Sequence, residues 1–219
     1  MRVEKPTMKI TNAVFQADDV MGGPSIILGD NYVSLIDTGI PNSEGKIFSL
    51  IESLGRKPSD LKHILITHSD GDHIGSLHAL VQATGAKVYA QADEAEVIQG
   101  KRKSRGGQMV SEPVQVSQVV KDGDLLPIHG GIKVIETFGH TTGHVVYLLL
   151  NENLLLAGDC LNNVNGLAGS MPQYTANMQQ AKDTVKKLAS LTPESIVFGH
   201  GPPILSNAAQ KLKALAESL

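Results

Sequence analysis

Four short segments, far apart in the chain, each place a histidine or an aspartate directly after an apolar, strand-like run. Residues 67–75 read T-H-S-D-G-D-H-I-G behind the β-branched run at 63–67. Residues 138–144 read F-G-H-T-T-G-H, residues 157–160 read A-G-D-C, and residues 198–202 read F-G-H-G-P. Side chains at the carboxyl ends of strands can be gathered at one rim of a sheet, where rigid backbone positions a polar cluster. The side chains so collected are His68, Asp70, Asp72, His73, His140, Asp159 and His200. Imidazole and carboxylate together are donors for zinc, iron or manganese. The glycines before His140, Asp159 and His200 are expected in backbone conformations that other residues avoid. A lone Gly-Asp or Gly-His is usually a turn. Four potential donors between His68 and His73, directly behind an apolar strand, are not explained as solvated surface.

The rest of the chain alternates strand-like and helix-like stretches. Strand patterns cover residues 8–15, 25–28, 32–36, 63–67, 87–90, 114–120, 132–138, 145–150, 154–157 and 195–198. Gly29-Asp30-Asn31 supplies turn chemistry for an antiparallel hairpin. Residues 42–54 carry Ile47, Leu50, Ile51 and Leu54 at helical spacing, with Asn42 or Ser43 to cap the start and Gly55 to end it. Helices are also expected at 74–83, 175–191 and 206–218. Residues 100–108 (GKRKSRGGQ) are basic, glycine-rich and poor in apolar residues, and read as an exposed loop, with phosphate binding as an alternative use. Strands cluster in each half and helices follow in each, which suggests two packed sheets with helices outside rather than one doubly wound sheet.

The 219 residues fit one domain, 1–219. A composition of 41% apolar and 19% charged residues is that of a globular chain and argues against disorder. A net charge of −3 lacks the basic footprint of a nucleic-acid binder. Cys160, the single cysteine, excludes an internal disulfide. Residues 1–9 have no apolar core of signal-peptide length, and no run approaches the roughly 18 apolar residues of a membrane span. The expectation is a cytoplasmic protein with a small-molecule substrate, no nucleic-acid or membrane partner, and homo-oligomerisation left open.

With Ile36-Asp37-Thr38-Gly39 as an early strand-end segment and the four donor segments in order, the chain resembles the metallo-β-lactamase-fold hydrolase superfamily over nearly its whole length. The resemblance implies an α/β fold: a four-layer αββα sandwich of two mixed β-sheets with helices on the outer faces, and a dinuclear metal site at one edge. It implies that His68 and His140 hold a first metal, that Asp72, His73 and His200 hold a second, and that Asp159 bridges them. The family's usual loop is His-x-His-x-Asp-His; here Asp70 stands at the second histidine. With Asp70 as a donor, the first site becomes His68, Asp70 and His140, a two-histidine, one-carboxylate set that suits iron as well as zinc. The variant loop is also similar to that of the superfamily's diiron flavoproteins, which carry a glutamate there.

The activity so implied is metal-dependent hydrolysis of an ester, thioester or lactone, as in the glyoxalase II-like members. Two divalent ions, zinc first and iron or manganese as alternatives, would share a hydroxide, with Asp72 orienting it. Two other readings stand beside it: an iron-dependent oxygenase resembling persulfide dioxygenases, motivated by Asp70, and a non-catalytic metal-binding module. The stretch after His200 suffices for one helix, not for the further helical region of glyoxalase II. Tyr174 and His144 are candidates for contacting substrate, His144 alternatively for orienting backbone. Met171 and Met178 could wall a pocket or simply pack. Asp37, Thr67, Thr141 and Thr142 are candidates for supporting the metal-binding imidazoles. Cys160 reads as a small buried thiol, and His63, His78 and His129 as structural or surface residues.

Overall fold

Turn chemistry and apolar alternation lay out the first half of the chain. The computed structural model describes residues 8–219, so most of the segment read above for a signal peptide lies outside the described residues. The chain divides into two compact units, Met1–Ala90 with Ala95–Val119, and Gln91–Glu94 with Val120–Leu219. In the first, β1 (Met8–Lys9) and β2 (Val14–Gln16) pair antiparallel. They replace the single strand expected over 8–15, because Thr11 Oγ1 accepts the backbone N–H groups of Ala13 and Val14, both at 3.1 Å. Such a local side-chain bond offers the backbone an alternative to the ladder. The expected hairpin forms between β3 (Ser25–Leu28) and β4 (Val33–Ile36), closed by a 2.9 Å bond from Gly29 N–H to the Tyr32 carbonyl.

β5 (Leu61–Leu65) and β6 (Lys87–Gln91) then add in parallel, and β7 (Gln118–Val120) completes a seven-stranded mixed sheet in the order β1-β2-β3-β4-β5-β6-β7. Parallel strands are covered on both faces and so read as continuous apolar runs; β4 is buried throughout. The helices are α1 (Glu44–Ser53), α2 (Gly71–Ile74), α3 (Leu77–Thr84) and α4 (Ala92–Ile98). α1 buries Ile47, Leu50 and Ile51, and Gly55 at φ +76° follows its end. These side chains join Ile26, Leu35, Leu61, Ile64, Leu80 and Val88 in one core.

The second unit is a five-stranded mixed sheet. Its strands are β8 (Leu125–Leu126), β9 (Ile132–Glu136), β10 (Val145–Leu149) and β11 (Leu154–Leu156), with β12 (Leu161–Asn162) and β13 (Ala168–Gly169) forming a separate ribbon. β14 (Ser195–Val197) adds parallel to β11, giving the order β14-β11-β10-β9-β8. α5 (Met178–Leu188) starts three residues later than the sequence suggested: residues 172–174 form a 3-10 turn and Asn177 caps the helix, accepting from the N–H groups of Gln179 and Gln180 at 3.0 and 3.1 Å. α6 (Ala208–Glu217) contributes Ala208 and Leu212 to a second core with Val146, Leu155, Val185, Ile196 and Phe198. The fold is thus mixed α/β, with two mixed sheets and helices. Among the described residues no helix is long and apolar enough to cross a membrane.

Candidate metal centre

In the first unit the parallel pairing of β4 and β5 puts their carboxyl ends side by side. Asp37 follows β4 at φ +57°, buried, and its carboxylate gathers the neighbouring groups. Oδ1 accepts the Thr67 backbone N–H at 2.8 Å; Oδ2 accepts the Thr67 hydroxyl at 2.7 Å and His73 Nδ1 at 2.9 Å. A carboxylate only accepts, so the Thr67 hydroxyl proton and the His73 Nδ1 proton are both assigned. His68 Nδ1 lies 3.0 Å from the same Thr67 oxygen. That oxygen has committed its proton to Asp37, so it accepts from His68 Nδ1–H. Both fully buried imidazoles are therefore held in the tautomer that leaves the lone pair on Nε2. His68 Nε2 stands 3.7 Å from Asp70 Oδ2, and His73 Nε2 stands 3.7 Å from Asp72 Oδ2.

In the second unit β11 and β14 run parallel, so Asp159 and His200 follow two adjacent strand ends, joined by a 3.1 Å bond from Gly199 N–H to the Gly158 carbonyl. β9 leads to His140 through Gly139, at φ +127°, where a Cβ would stand 2.4 Å from the Ala181 backbone nitrogen. Gly158 is also in the positive-φ region (+51°). Gly199 is not: contrary to expectation, the left-handed residue of that segment is Gly201, at φ +97°. Asp159 Oδ2 lies 3.8 Å from His140 Nε2 and 3.2 Å from His200 Nε2. His144 is buried, with Nδ1 at 2.7 Å from the Thr137 hydroxyl and Nε2 accepting the Asp159 backbone N–H at 3.1 Å. Both ring nitrogens are engaged, the arrangement that the orienting alternative raised above calls for.

These distances test whether the residues fit a metal. Three of the four Nε2–carboxylate separations given above, at 3.7, 3.7 and 3.8 Å, exceed the span of a hydrogen bond. Two donors each about 2.1 Å from one tetrahedral ion lie about 3.4 Å apart, so the spacing is that of atoms sharing a cation. The support is of the right kind too: a metal-binding imidazole uses its second nitrogen on a carboxylate, carbonyl or hydroxyl, which fixes its orientation. The donor chemistry is that of a divalent-metal site.

Other residues fall as follows. Cys160 is buried and its thiol donates to the Ala157 carbonyl; burial pushes its pKa far up, so it stays a thiol. Tyr174 is 53% exposed, in a segment whose next residues, Ala176 and Asn177, bond to the carbonyls of His140 and Gly139. Met178 opens α5 with its side chain at the surface. Thr141 donates to Glu94 Oε1 at 2.6 Å, and Gly143 N–H reaches the same oxygen at 3.0 Å. Glu94 thereby clamps the turn that carries His140, a role sequence reasoning missed, because in the acidic run around it nothing marks one glutamate as buried. The 100–108 loop supplies the second surprise: Arg105 Nη2 donates to Asp70 Oδ2.

Comparison with known proteins agrees with this geometry. Residues 19–200 match the family model of the metallo-beta-lactamase superfamily. YobT of Bacillus subtilis is 30% identical over 208 residues, 86% of this chain and 87% of that one. A probable metallo-hydrolase of the same organism, YflN, is 27% identical over 218 residues, 84% and 81% of the two chains. The hydroxyacylglutathione hydrolase of Rhodobacter capsulatus is 32% identical over 186 residues, and this chain spans 64% of its length. Among solved structures, BJP-1, a subclass B3 metallo-beta-lactamase of Bradyrhizobium japonicum, superposes with a TM-score of 0.75 at 20% identity, over 100% of this chain and 95% of that one. That likeness gives the fold, and the family match over most of the chain gives the kinship: this chain belongs to the metallo-β-lactamase superfamily.

Proposed function

We propose that the chain is a metal-dependent hydrolase of small-molecule esters, thioesters or lactones. In this reading His68, Asp70 and His140 would serve one cation, Asp72, His73 and His200 another, and Asp159 both, with zinc the first choice. The observation that carries it is the pairing of each imidazole Nε2 with a carboxylate oxygen at 3.2–3.8 Å. Relatives named as a probable metallo-hydrolase and a hydroxyacylglutathione hydrolase support hydrolysis. Divalent cations bound there would acidify a water and polarise a carbonyl oxygen.

The chain's own groups do the rest. Asp37 and Thr67 keep His68 and His73 in the metal-binding tautomer, and His144 holds the Asp159 backbone. Asp72 is the more exposed of the two loop carboxylates, 26% against 14% for Asp70. It would stay ionised and orient the attacking water by accepting its hydrogen bond. Tyr174 offers a hydroxyl to a substrate oxygen.

The test is a panel of ester, thioester and lactone substrates, with chelator, with restored zinc, and with His68→Ala/His140→Ala. Hydrolysis should vanish with chelator, return with the cation and stay absent in the double variant; full turnover by that variant when metal-free would falsify the reading. Asp70 also favours a second one, an iron-dependent oxygenase, since His68, Asp70 and His140 form a two-histidine, one-carboxylate set. Assays without oxygen separate the two: hydrolysis continues, oxygenation stops.

A further inference from the structure

Asp70 stands where the family loop has a histidine, and its side chain has a partner from a distant part of the same unit. Asp70 precedes α2 at the N-cap position yet makes no side-chain capping bond there. Its Oδ2 instead accepts Arg105 Nη2. Arg105 is not a stray surface cation. Ser104 N–H bonds to the Gln108 carbonyl at 2.8 Å and Gly107 N–H to the Ser104 carbonyl at 2.9 Å, closing a turn with Arg105 inside it. The start of the loop is tied as well, since the N–H groups of Lys101 and Arg102 both reach the Glu96 carbonyl. The pair is mostly shielded, with 29% of the Arg105 side chain and 14% of that of Asp70 exposed. The oxygen that Arg105 holds is the one 3.7 Å from His68 Nε2, the position from which a carboxylate would share a cation with that imidazole.

The geometry points to Arg105 as a built-in competitor for the metal: its guanidinium and a divalent cation contend for Asp70 Oδ2, so that filling this position and releasing the turn of the 100–108 loop are one event. The inference rests on the metal centre proposed above. Sharing Asp70 Oδ2 between both cations is disfavoured, because the guanidinium and a doubly charged ion repel each other most strongly where solvent screens least. Arg105 therefore weakens the cation position that uses Asp70, leaves the one built on Asp72, His73 and His200 unaffected, and makes the loop respond to occupancy.

The experiment is a zinc titration of the chelator-treated full chain against a chromophoric competitor, for the wild type, Arg105→Gln, Asp70→Asn and the double variant. Arg105→Gln should tighten the weaker of the binding steps about tenfold. In the Asp70→Asn background the same change should have almost no effect. In the wild type, saturating zinc should speed tryptic cleavage at Lys101–Arg105, whose lysines and arginines are the available sites. Equal zinc affinity in the wild type and Arg105→Gln, or a tightening that persists when Asp70→Asn is also present, overturns the competition. His73→Ala and His140→Ala separate the levels of failure. Loss of zinc binding in these variants with no Arg105 effect sinks the competition alone; zinc binding untouched by them sinks the metal centre and the competition with it.

Discussion

Three hydrogen bonds converge on the Asp37 carboxylate, at 2.7, 2.8 and 2.9 Å, and two imidazole tautomers depend on them. Asp37→Asn keeps the size and tolerates the φ of +57°. It cannot, however, accept from both the Thr67 hydroxyl and His73 Nδ1–H on one side, because the amide presents N–H groups there. His73 then loses its support or changes tautomer, which turns its lone pair away from the site. Zinc affinity should fall by about 10–100-fold, while far-UV circular dichroism stays that of the wild type. Cys160 gives an independent check on the other half. Its thiol is buried and held well above its usual pKa by desolvation, so it should resist alkylation at pH 8 in the native protein and react on unfolding. Labelling followed by mass spectrometry reads this directly; rapid native labelling would contradict the burial.

At the scale of elements, β5 carries a titrating group with structural consequences. His63 packs edge-on against Tyr32, with ring centres 5.4 Å apart, and its Nδ1 lies 3.1 Å from the Tyr89 hydroxyl. Burial, and secondarily the charge of Lys87, lower its pKa. A pKa lowered by folding means that the unfolded chain takes up the proton first, so the contribution is complete above the unfolded value of about 6.5 and is lost as pH falls below it. Denaturant unfolding at pH 7.5 and 5.5 should show the gap between the wild type and His63→Gln narrowing at the lower pH. In α6, Leu212 is fully buried, and Leu212→Ala should cost about 2–5 kcal/mol in the same measurement. Most of these elements were legible in the sequence because their signals are local: the 29–31 turn, the α1 stripe ending at Gly55, the apolar strands. α4 was missed, since its seven residues, ADEAEVI, carry no full amphipathic repeat. The strand expected over 114–120 pairs only from Gln118; Val114 and Val116 are buried in irregular backbone, bonded through Val114 N–H to the Ile98 carbonyl. The seven proposed donors were picked out by strand-end position and chemistry, signals that are local to each segment. Arg105 and Glu94 were not, because a side-chain pairing across 35 or 47 residues leaves no periodic trace.

At the scale of the whole molecule, the chain builds two cores, and the proposed donors fall into two sets, His68, Asp70, Asp72 and His73 in one unit and His140, Asp159 and His200 in the other. If, as proposed, both sets serve one centre, cation binding is linked to the folding of both units. A cation that binds only the native state adds about 2.7 kcal/mol at a hundred times its dissociation constant. The wild type should therefore melt at a higher temperature with saturating zinc, and chelator should remove the gain. The decisive comparison sets His68→Ala from the first unit against His200→Ala from the second. Two independent clusters would each keep their own zinc response, and the losses in the double variant would add. A shared centre behaves otherwise: each single variant removes most of the zinc-dependent shift, and the double variant loses little more. Strictly additive losses in calorimetry would mean that the two donor sets hold cations separately, and the proposed common centre would have to be abandoned.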